Sequence, residues 1–381
     1  MGRPRELTLD SGFSRIVFHS QRGDKLGRIL VAMSGGVDSS TAAALLLEEG
    51  HELVGATLRT FCYSSGPAHG KTCCGLEGVQ DARQVARTLG IPHFVVDVEE
   101  DFSRDVIHDF VREYAEGRTP NPCVRCNSFT KFRDLLRQAR EVGADGIATG
   151  HYVRISRREP GGPVLLRGAD STKDQAYFLW AISRETLPFL HFPLGDLTKD
   201  RVREMARERG LLTADKPESQ EICFVAGGDY RQFLREHLEP SHPAFRPGPI
   251  VDTEGRVVGS HAGYAGYTVG QRRGLPGGFP QPMFVVEIRP ESREVVIGTH
   301  EDLLTERVAL TDVNWLSDPL GEGQVVEVQL RHRARPTLAT VDEAADTISL
   351  SLLEPQPAVT PGQSGVLFRG DRMLGGGRIL R

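Results

Sequence analysis

Ten residues constrain this chain more than any others: VAMSGGVDSS, at positions 31–40. They follow the apolar run RILVAM and lead into SSTAAALLLEEG, so a buried strand feeds directly into a helix that stops at Gly50. At such a junction the N–H groups of the first helical turn and the positive end of the helix dipole converge on one loop. Gly35 and Gly36 let the main chain approach an anion closely, and Ser34, Ser39 and Ser40 add hydroxyl donors. No lysine stands where the GxxxxGKS/T motif needs one, so this is a different phosphate loop. Asp38 suits a bridging Mg²⁺ better than direct contact with an anion. A plain Gly-Ser turn explains the glycines but not the order of strand, loop and helix.

The pattern of strand then helix continues. ELVGATL, HFVVDV and DGIATG read as strands, and LEGVQDARQVARTLG as a helix. Helical periodicity also runs from about Phe102 to Glu116 and from Ser128 to Val142. This alternation predicts an α/β fold, a doubly wound parallel sheet with ligands at the carboxyl ends of its strands. Beyond Leu166, DQAYFLWAISRETLPFL and LTKDRVREMARERGL read as helices around a loop. Residues 229–300 are rich in Gly, Pro and aromatics, with short strands such as FVVEIRP and EVVIG, which suggests a small mixed central domain. The last eighty residues alternate apolar and polar positions between turns, as in a small antiparallel barrel or sandwich, of which the β-barrel is the expectation carried forward. The expected division is a polar extension over 1–27, a loop-bearing α/β domain over 28–227, a central domain over 228–300 and a barrel over 301–381.

The 381 residues are enough for two or three such cores. No apolar run reaches the roughly 18 residues of a membrane span, and the first 27 lack the apolar core of a signal peptide. Six cysteines without a secretion signal read as cytoplasmic thiols, metal ligands or catalysts rather than structural disulfides.

Five further segments narrow the reading: GRTPNPCVRCNSFTKF, ATGHYVR, KDQAYFL, ESQEICFV and YTVGQRRGL, in that order. SGGVDS by itself resembles the pyrophosphate loop of ATP pyrophosphatases, a group that spans GMP, argininosuccinate and asparagine synthetases as well as tRNA sulfurtransferases. With the five segments, residues 28–381 resemble the tRNA-specific 2-thiouridylase (MnmA) family. The resemblance implies a PP-loop sheet of adenine nucleotide alpha hydrolase type. It also implies an enzyme that uses ATP and Mg²⁺ to activate O2 of the wobble uridine, U34, and replaces that oxygen with sulfur. The implied partners are tRNAs for Lys, Glu and Gln and a sulfur donor, either a cysteine desulfurase relay or sulfide. By the same resemblance Ala32, Met33, Ser34, Gly35, Gly36, Val37, Asp38, Ser39 and Leu58 line the ATP site, with Gly150 near the adenosine. Asn121, Pro122 and Cys123 meet the target base, while Lys173, Asp174, Gln175, Arg331 and His332 contact tRNA. Cys223 carries the persulfide, and Cys126 is its partner, closing a disulfide as sulfur leaves.

The chemistry agrees. A uridine O2 is a poor leaving group until it is adenylated; a sulfur nucleophile of low pKa can then displace it. A second thiol releases sulfur from a persulfide by forming a disulfide. The chain departs from the family at Cys123, where relatives carry an Asp thought to act as acid or base. Cys123, Cys126 and Cys223 together suit a 4Fe–4S cluster whose fourth iron binds exogenous sulfide, and this is the expectation carried forward. A persulfide relay without metal, and a zinc site completed by His151 or water, stand beside it. Cys62, Cys73 and Cys74, near His69, read as structural or incidental.

Net charge is −5, so an RNA partner must be met by local clusters. RISRR (154–158), KDRVREMARER (199–209), GQRRG (270–274) and RHRAR (331–335) are the candidates, with Glu204 and Glu208 offsetting the helical one. An amide-forming ATP pyrophosphatase would need an ammonia source that no segment offers. A non-catalytic tRNA-binding protein would have no use for the intact loop and cysteines.

Overall fold

A computed structural model of the chain describes residues 26–60, 76–218 and 222–380. Cys62, His69, Cys73, Cys74 and nearly all of the N-terminal extension lie outside them. Strand β1 (Leu26–Ala32) runs into helix α1 (Val37–Glu48), followed by β2 (His51–Arg59), α2 (Leu76–Leu89) and β3 (His93–Asp97). Helical stretches at 99–115 and 122–141 lead to β4 (Gly146–Ala148). A hairpin of β5 (Val153–Ser156) and β6 (Val164–Arg167) then precedes β7 (Leu190–His191). The sheet order is β3-β2-β1-β4-β7, with every neighbouring pair parallel.

Side chains of β1 show why the sheet is wound on both faces. Leu30 packs with Phe132, Leu135 and Ala139 of the 122–141 helix, while Ile29 and Val31 pack with Ala42, Ala43 and Leu46 of α1. A strand buried on both faces reads as an unbroken apolar run, which is how RILVAM reads. Truncating Leu30 to Ala would cost about 2–5 kcal/mol, the range for a fully buried leucine.

The central segment forms a four-stranded sheet from β8 (Gly248–Asp252), β9 (Val257–His261), β10 (Phe284–Arg289) and β11 (Glu294–Gly298), in the order β10-β11-β8-β9. The last strands are β12 (Leu304–Trp315), β13 (Val325–Gln329), β14 (Thr337–Ala344), β15 (Ile348–Pro357), β16 (Ser364–Arg369) and β17 (Arg372–Ile379). They pair in the order β12-β15-β14-β13-β16-β17, and β17 returns to β12, closing a six-stranded antiparallel barrel. The β5–β6 hairpin joins this sheet through Leu166 opposite Arg372.

One segment differs from its sequence pattern. DQAYFLWAISRETLPFL does not form a helix; it makes 3-10 turns at Ala176–Phe178 and Arg184–Phe189. The barrel takes the groups that a helix would use. Asn314 Nδ2 donates to the carbonyls of Trp180 (2.6 Å) and Ile182 (2.9 Å), and Trp180 Nε1 donates to Ser364 Oγ (2.9 Å). The 122–141 helix also begins earlier than its periodicity suggests. Pro122 occupies its first position, where the missing N–H costs nothing, so Cys123 and Cys126 lie on its opening turns.

Two part-buried histidines, His93 and His191, have their pKa lowered to about 4, chiefly by desolvation. In each, Arg charge adds to the effect. A folded pKa below the unfolded value means that the unfolded chain binds more protons between the two, so folding stability is lost as pH falls. The urea midpoint is expected to fall between pH 6.5 and about 4, and His93→Gln to flatten that slope.

Candidate active site

The loop after β1 is held from below and from the side. Met33 N donates to Ala56 O (2.8 Å), and Thr57 Oγ1 donates to Met33 O (2.6 Å). Gly35 has φ +72°, and a Cβ there would lie 2.2 Å from the Gly78 carbonyl oxygen, so only glycine fits. Gly36 is the N-cap of α1, and no side chain caps the helix. The first-turn N–H groups therefore face the loop, as an anion site requires. Ser39 Oγ (3.1 Å) and Ser40 Oγ (2.9 Å) both donate to Gly36 O, so these hydroxyls shape the loop. Gly150 abuts it from β4: a Cβ there would lie 2.6 Å from the Asp38 carbonyl carbon and 2.7 Å from Ser39 N. Leu58 lies near the carboxyl end of β2, buried in the same sheet's core.

Asp38 leads out of the loop into a chain of ion pairs. Lys199 Nζ is 2.8 Å from both Asp38 carboxylate oxygens, and Tyr152 Oη donates to Asp38 Oδ1 at 2.7 Å. Lys199 is only 7 % exposed and also pairs with Glu218 at 2.9 Å. The other Glu218 oxygen accepts from Lys173 Nζ at 2.8 Å. Partial burial acts to raise the Glu218 pKa, but hydrogen bonds and charge from Lys173 and Lys199 prevail and hold it at about 2. Burial, reinforced by Asp38, pushes the Tyr152 hydroxyl well above its usual range. Asp38 Oδ1 accepts from both Lys199 and Tyr152, whereas Oδ2 accepts from Lys199 alone and keeps a lone pair for a cation.

Lys199 had read as part of a basic RNA-facing helix. One signal did point elsewhere: it opens the helix Lys199–Glu208, where a cation opposes the dipole unless a carboxylate compensates.

The cysteines fall into two environments. Cys126 and Cys223, distant in sequence, both pack half-buried against the cluster that contains Phe102, Phe110, Tyr114 and Phe224. Cys123 is exposed, one turn before Cys126. Among the described residues no three His, Cys, Asp or Glu side chains are gathered to hold a metal. The expected three-cysteine set for a 4Fe–4S cluster is thus not assembled. His151 does not complete a zinc site either. It is buried with Nδ1 2.6 Å from Thr149 Oγ1, beside Phe132 and Phe192, and burial pulls its pKa well down.

Two expected RNA contacts have internal partners. Asp174 accepts from the backbone N–H groups of Gly168 (2.9 Å) and Ala176 (3.0 Å) and from Arg167 (2.9 Å); Gln175 Oε1 accepts from Tyr152 N (2.9 Å). His332 packs half-buried against Phe178, ring centroids 4.3 Å apart and planes tilted by 46°. The basic clusters divide by partner. In the helical cluster, Arg201 pairs with Glu204 and Glu208, Arg207 with Asp215 and Arg209 with Glu48. Arg272, Arg273, Arg331, Arg333 and Arg335 are exposed and form no ion pair among the described residues.

The fold and loop define an α/β protein of the phosphate-loop type with a barrel appended. Models of a tRNA methyl transferase HUP domain match residues 27–227, of a tRNA methyl transferase PRC-barrel domain 231–299, and of an aminomethyltransferase beta-barrel domain 305–379. The chain is 49% identical over 357 residues to the tRNA-specific 2-thiouridylase MnmA of Geobacter metallireducens, covering 92% of this chain and 96% of that one. It is 47% identical to the tRNA-specific 2-thiouridylase MnmA of Carboxydothermus hydrogenoformans, covering 93% and 99%. A solved 4-thiouridine synthetase–RNA complex with bound ATP is 18% identical, covers 55% of this chain and 50% of its own, and superposes with a TM-score of 0.35. This chain belongs to the tRNA-specific 2-thiouridylase MnmA family.

Glu218 provides a measurable signature of the ion-pair chain. Its depressed pKa stabilises the fold above pH 4.5, and this contribution is lost as pH falls to about 2. Glu218→Gln is expected to flatten that part of the stability–pH curve while leaving the limb near pH 6 in place.

Proposed function

We propose that this chain is an ATP-dependent tRNA 2-thiouridylase acting at U34. ATP adenylates uridine O2 with release of pyrophosphate; sulfur then displaces AMP from C2, giving 2-thiouridine. The observation that carries this reading is the unbroken ion-pair chain Asp38–Lys199–Glu218. It joins the phosphate loop to a residue five positions before Cys223.

The anion-binding end of α1, with Ala32–Ser39, receives the triphosphate, and Leu58 and Gly150 bound the nucleotide. Mg²⁺ neutralises phosphate charge when bound, with Asp38 as its carboxylate ligand. Asn121, Pro122 and Cys123 meet the splayed base. Cys223 carries the outer sulfur of a persulfide. Cys126 thiolate attacks the Cys223 sulfur, forming a disulfide and expelling hydrosulfide, which attacks C2 as the C2–O2 bond breaks. A dithiol reductant reopens the disulfide. The aromatic surface shared by Cys126 and Cys223 supports this two-thiol route. No step is routed through a 4Fe–4S cluster, because its three ligands are not gathered.

The exposed arginines of GQRRG and RHRAR meet tRNA phosphates, with His332 held beside them on Phe178, and Lys173 near the motif that Asp174 and Gln175 shape. In this reading residues 28–227 carry the chemistry, and 228–300 and 301–381 receive the RNA. The substrates are tRNAs for Lys, Glu and Gln in the cytoplasm, with a cysteine desulfurase relay as the donor that delivers persulfide-level sulfur to Cys223.

Pyrophosphate release that requires tRNA bearing U34 tests the reading directly; release without tRNA would overturn it. Cys223→Ser and Cys126→Ser are expected to abolish 2-thiouridine formation, measured by nucleoside mass spectrometry. Protein purified anaerobically is expected to be colourless, iron-free and active. Gly150→Ala would push a methyl group into the Asp38–Ser39 backbone and weaken ATP binding by about tenfold or more in calorimetry. Replacing Arg331, Arg333 and Arg335 together by Ala is expected to lower the salt dependence of tRNA binding by about two to three phosphate contacts.

A further inference from the structure

The segment Thr119–Cys123, which carries the residues placed against the base, has little to hold itself with. Pro120 and Pro122 have no N–H to donate. The one hydrogen bond between main-chain atoms within it and the next residue is Val124 N to Asn121 O, at 3.3 Å. Its other polar groups must be satisfied from elsewhere.

The C-terminal barrel satisfies them. Gln363, in the turn before β16, donates from Nε2 to the carbonyl oxygens of Thr119 (2.8 Å) and Pro120 (3.2 Å). Thr119 N donates back to Pro361 O at 2.9 Å. Gly362 sits against Thr119 with φ +89°, and a Cβ there would be 2.9 Å from the Thr119 oxygen. The approach is therefore as close as two backbones allow.

The barrel also holds the flanks of the segment. Arg378 of β17 pairs with Glu113 at 2.7 Å and with Asp109 at 3.2 Å, both on the preceding helix. Glu113 is fully buried and accepts both Arg118 Nε and Nη2 at 2.7 Å. Arg118 leads directly into the segment. On its far side Arg125, next to Cys126, donates to Asp105 O at 3.1 Å and lies 3.8 Å from Asp109. One guanidinium from the barrel thus joins Arg112 and Arg118 on the two carboxylates, Asp109 and Glu113, that anchor both ends.

We infer that the C-terminal barrel is part of the reaction site as well as an RNA-holding domain, and that Gln363 and Arg378 are positioning residues for the Asn121–Pro122–Cys123 segment and for Cys126. Neither residue touches the reacting atoms; they set where the segment stands relative to the nucleotide loop. This rests on the function proposed above and predicts two separable classes of barrel residue. The exposed arginines of RHRAR act on tRNA affinity. Gln363 acts on turnover once tRNA is bound.

Steady-state thiolation of a U34-bearing tRNA separates the two. Gln363→Leu removes both donors at similar size and is expected to lower kcat by about tenfold with KM for tRNA within about twofold. Arg333→Ala is expected to raise KM and spare kcat. Gln363→Lys, which restores a donor, is expected to recover most of the lost kcat. A Gln363→Leu enzyme with wild-type kcat, with its loss confined to KM, or not rescued by Lys, overturns the inference.

Alkylation by iodoacetamide, followed by mass spectrometry, gives a readout that does not need activity. Gln363→Leu is expected to change the rates at Cys123 and Cys126 but not at Cys223. Unchanged rates at the first two, or equal changes at all three, overturn it. Wild-type protein that forms no 2-thiouridine would count against the proposed function instead, and the alkylation rates would still decide this point.

Discussion

The site is organised around one buried ammonium. Lys199 is almost fully enclosed, and a buried cation is tolerated only with opposite charge and full hydrogen bonding around it. Asp38 and Glu218 supply both. They come from distant parts of the chain: Asp38 from the first turn of α1, Glu218 from beyond the helix that Lys199 opens. Because either carboxylate turning away would cost the buried ammonium one of its two partners, the pairing ties the phosphate loop to the approach to Cys223. Tyr152 and Lys173 extend the same pairing into the GHYVR and KDQAYFL motifs. Motifs that are scattered along the chain are therefore neighbours for an electrostatic reason.

Around that centre the parts differ in stiffness. The parallel sheet, packed on both faces, presents the loop after β1 and Gly150 after β4 at the carboxyl edge where an α/β fold binds its ligand. The segment Thr119–Cys123 is anchored to that core only at its end, through Pro122 and Val124. Two prolines strip it of donors, and its position comes from the barrel through Gln363 and from the Arg118–Glu113–Arg378 pairs. The phosphate loop is thus built on local geometry, and the Thr119–Cys123 segment on contacts between domains.

Legibility followed the same division. The βα alternation, both faces of β1, the glycine–serine loop and the closed barrel could all be read from residues close in sequence. KDQAYFLW could not. Its apolar spacing suits a helix, yet Asn314 and Ser364, well over a hundred residues away, claim its carbonyls and indole. Asp174 and Gln175 are expected RNA contacts by the resemblance of their motif, and what the motif does not reveal is that their side-chain oxygens accept from Gly168, Ala176 and Tyr152. Among basic clusters, composition alone did not separate Arg207, paired with Asp215, from the unpaired Arg333. The three-thiolate reading finds no support among the described residues for a related reason. CxxC spacing puts Cys123 and Cys126 a turn apart, but only the fold shows Cys123 at the surface and Cys126 with Cys223 on the aromatic cluster.

By itself the sequence determined the order of strands and helices, the conformation of the phosphate loop and membership of the family, because each rests on hydrogen bonds, glycine conformations and apolar periodicities spanning a few residues. Only the tertiary structure decided that Lys199 pairs with the loop residue Asp38, that two of the three thiols share one surface, and that the barrel holds the Thr119–Cys123 segment. Those outcomes depend on long-range pairing of charges and on where buried polar groups find partners, and neither is encoded in any short stretch of chain.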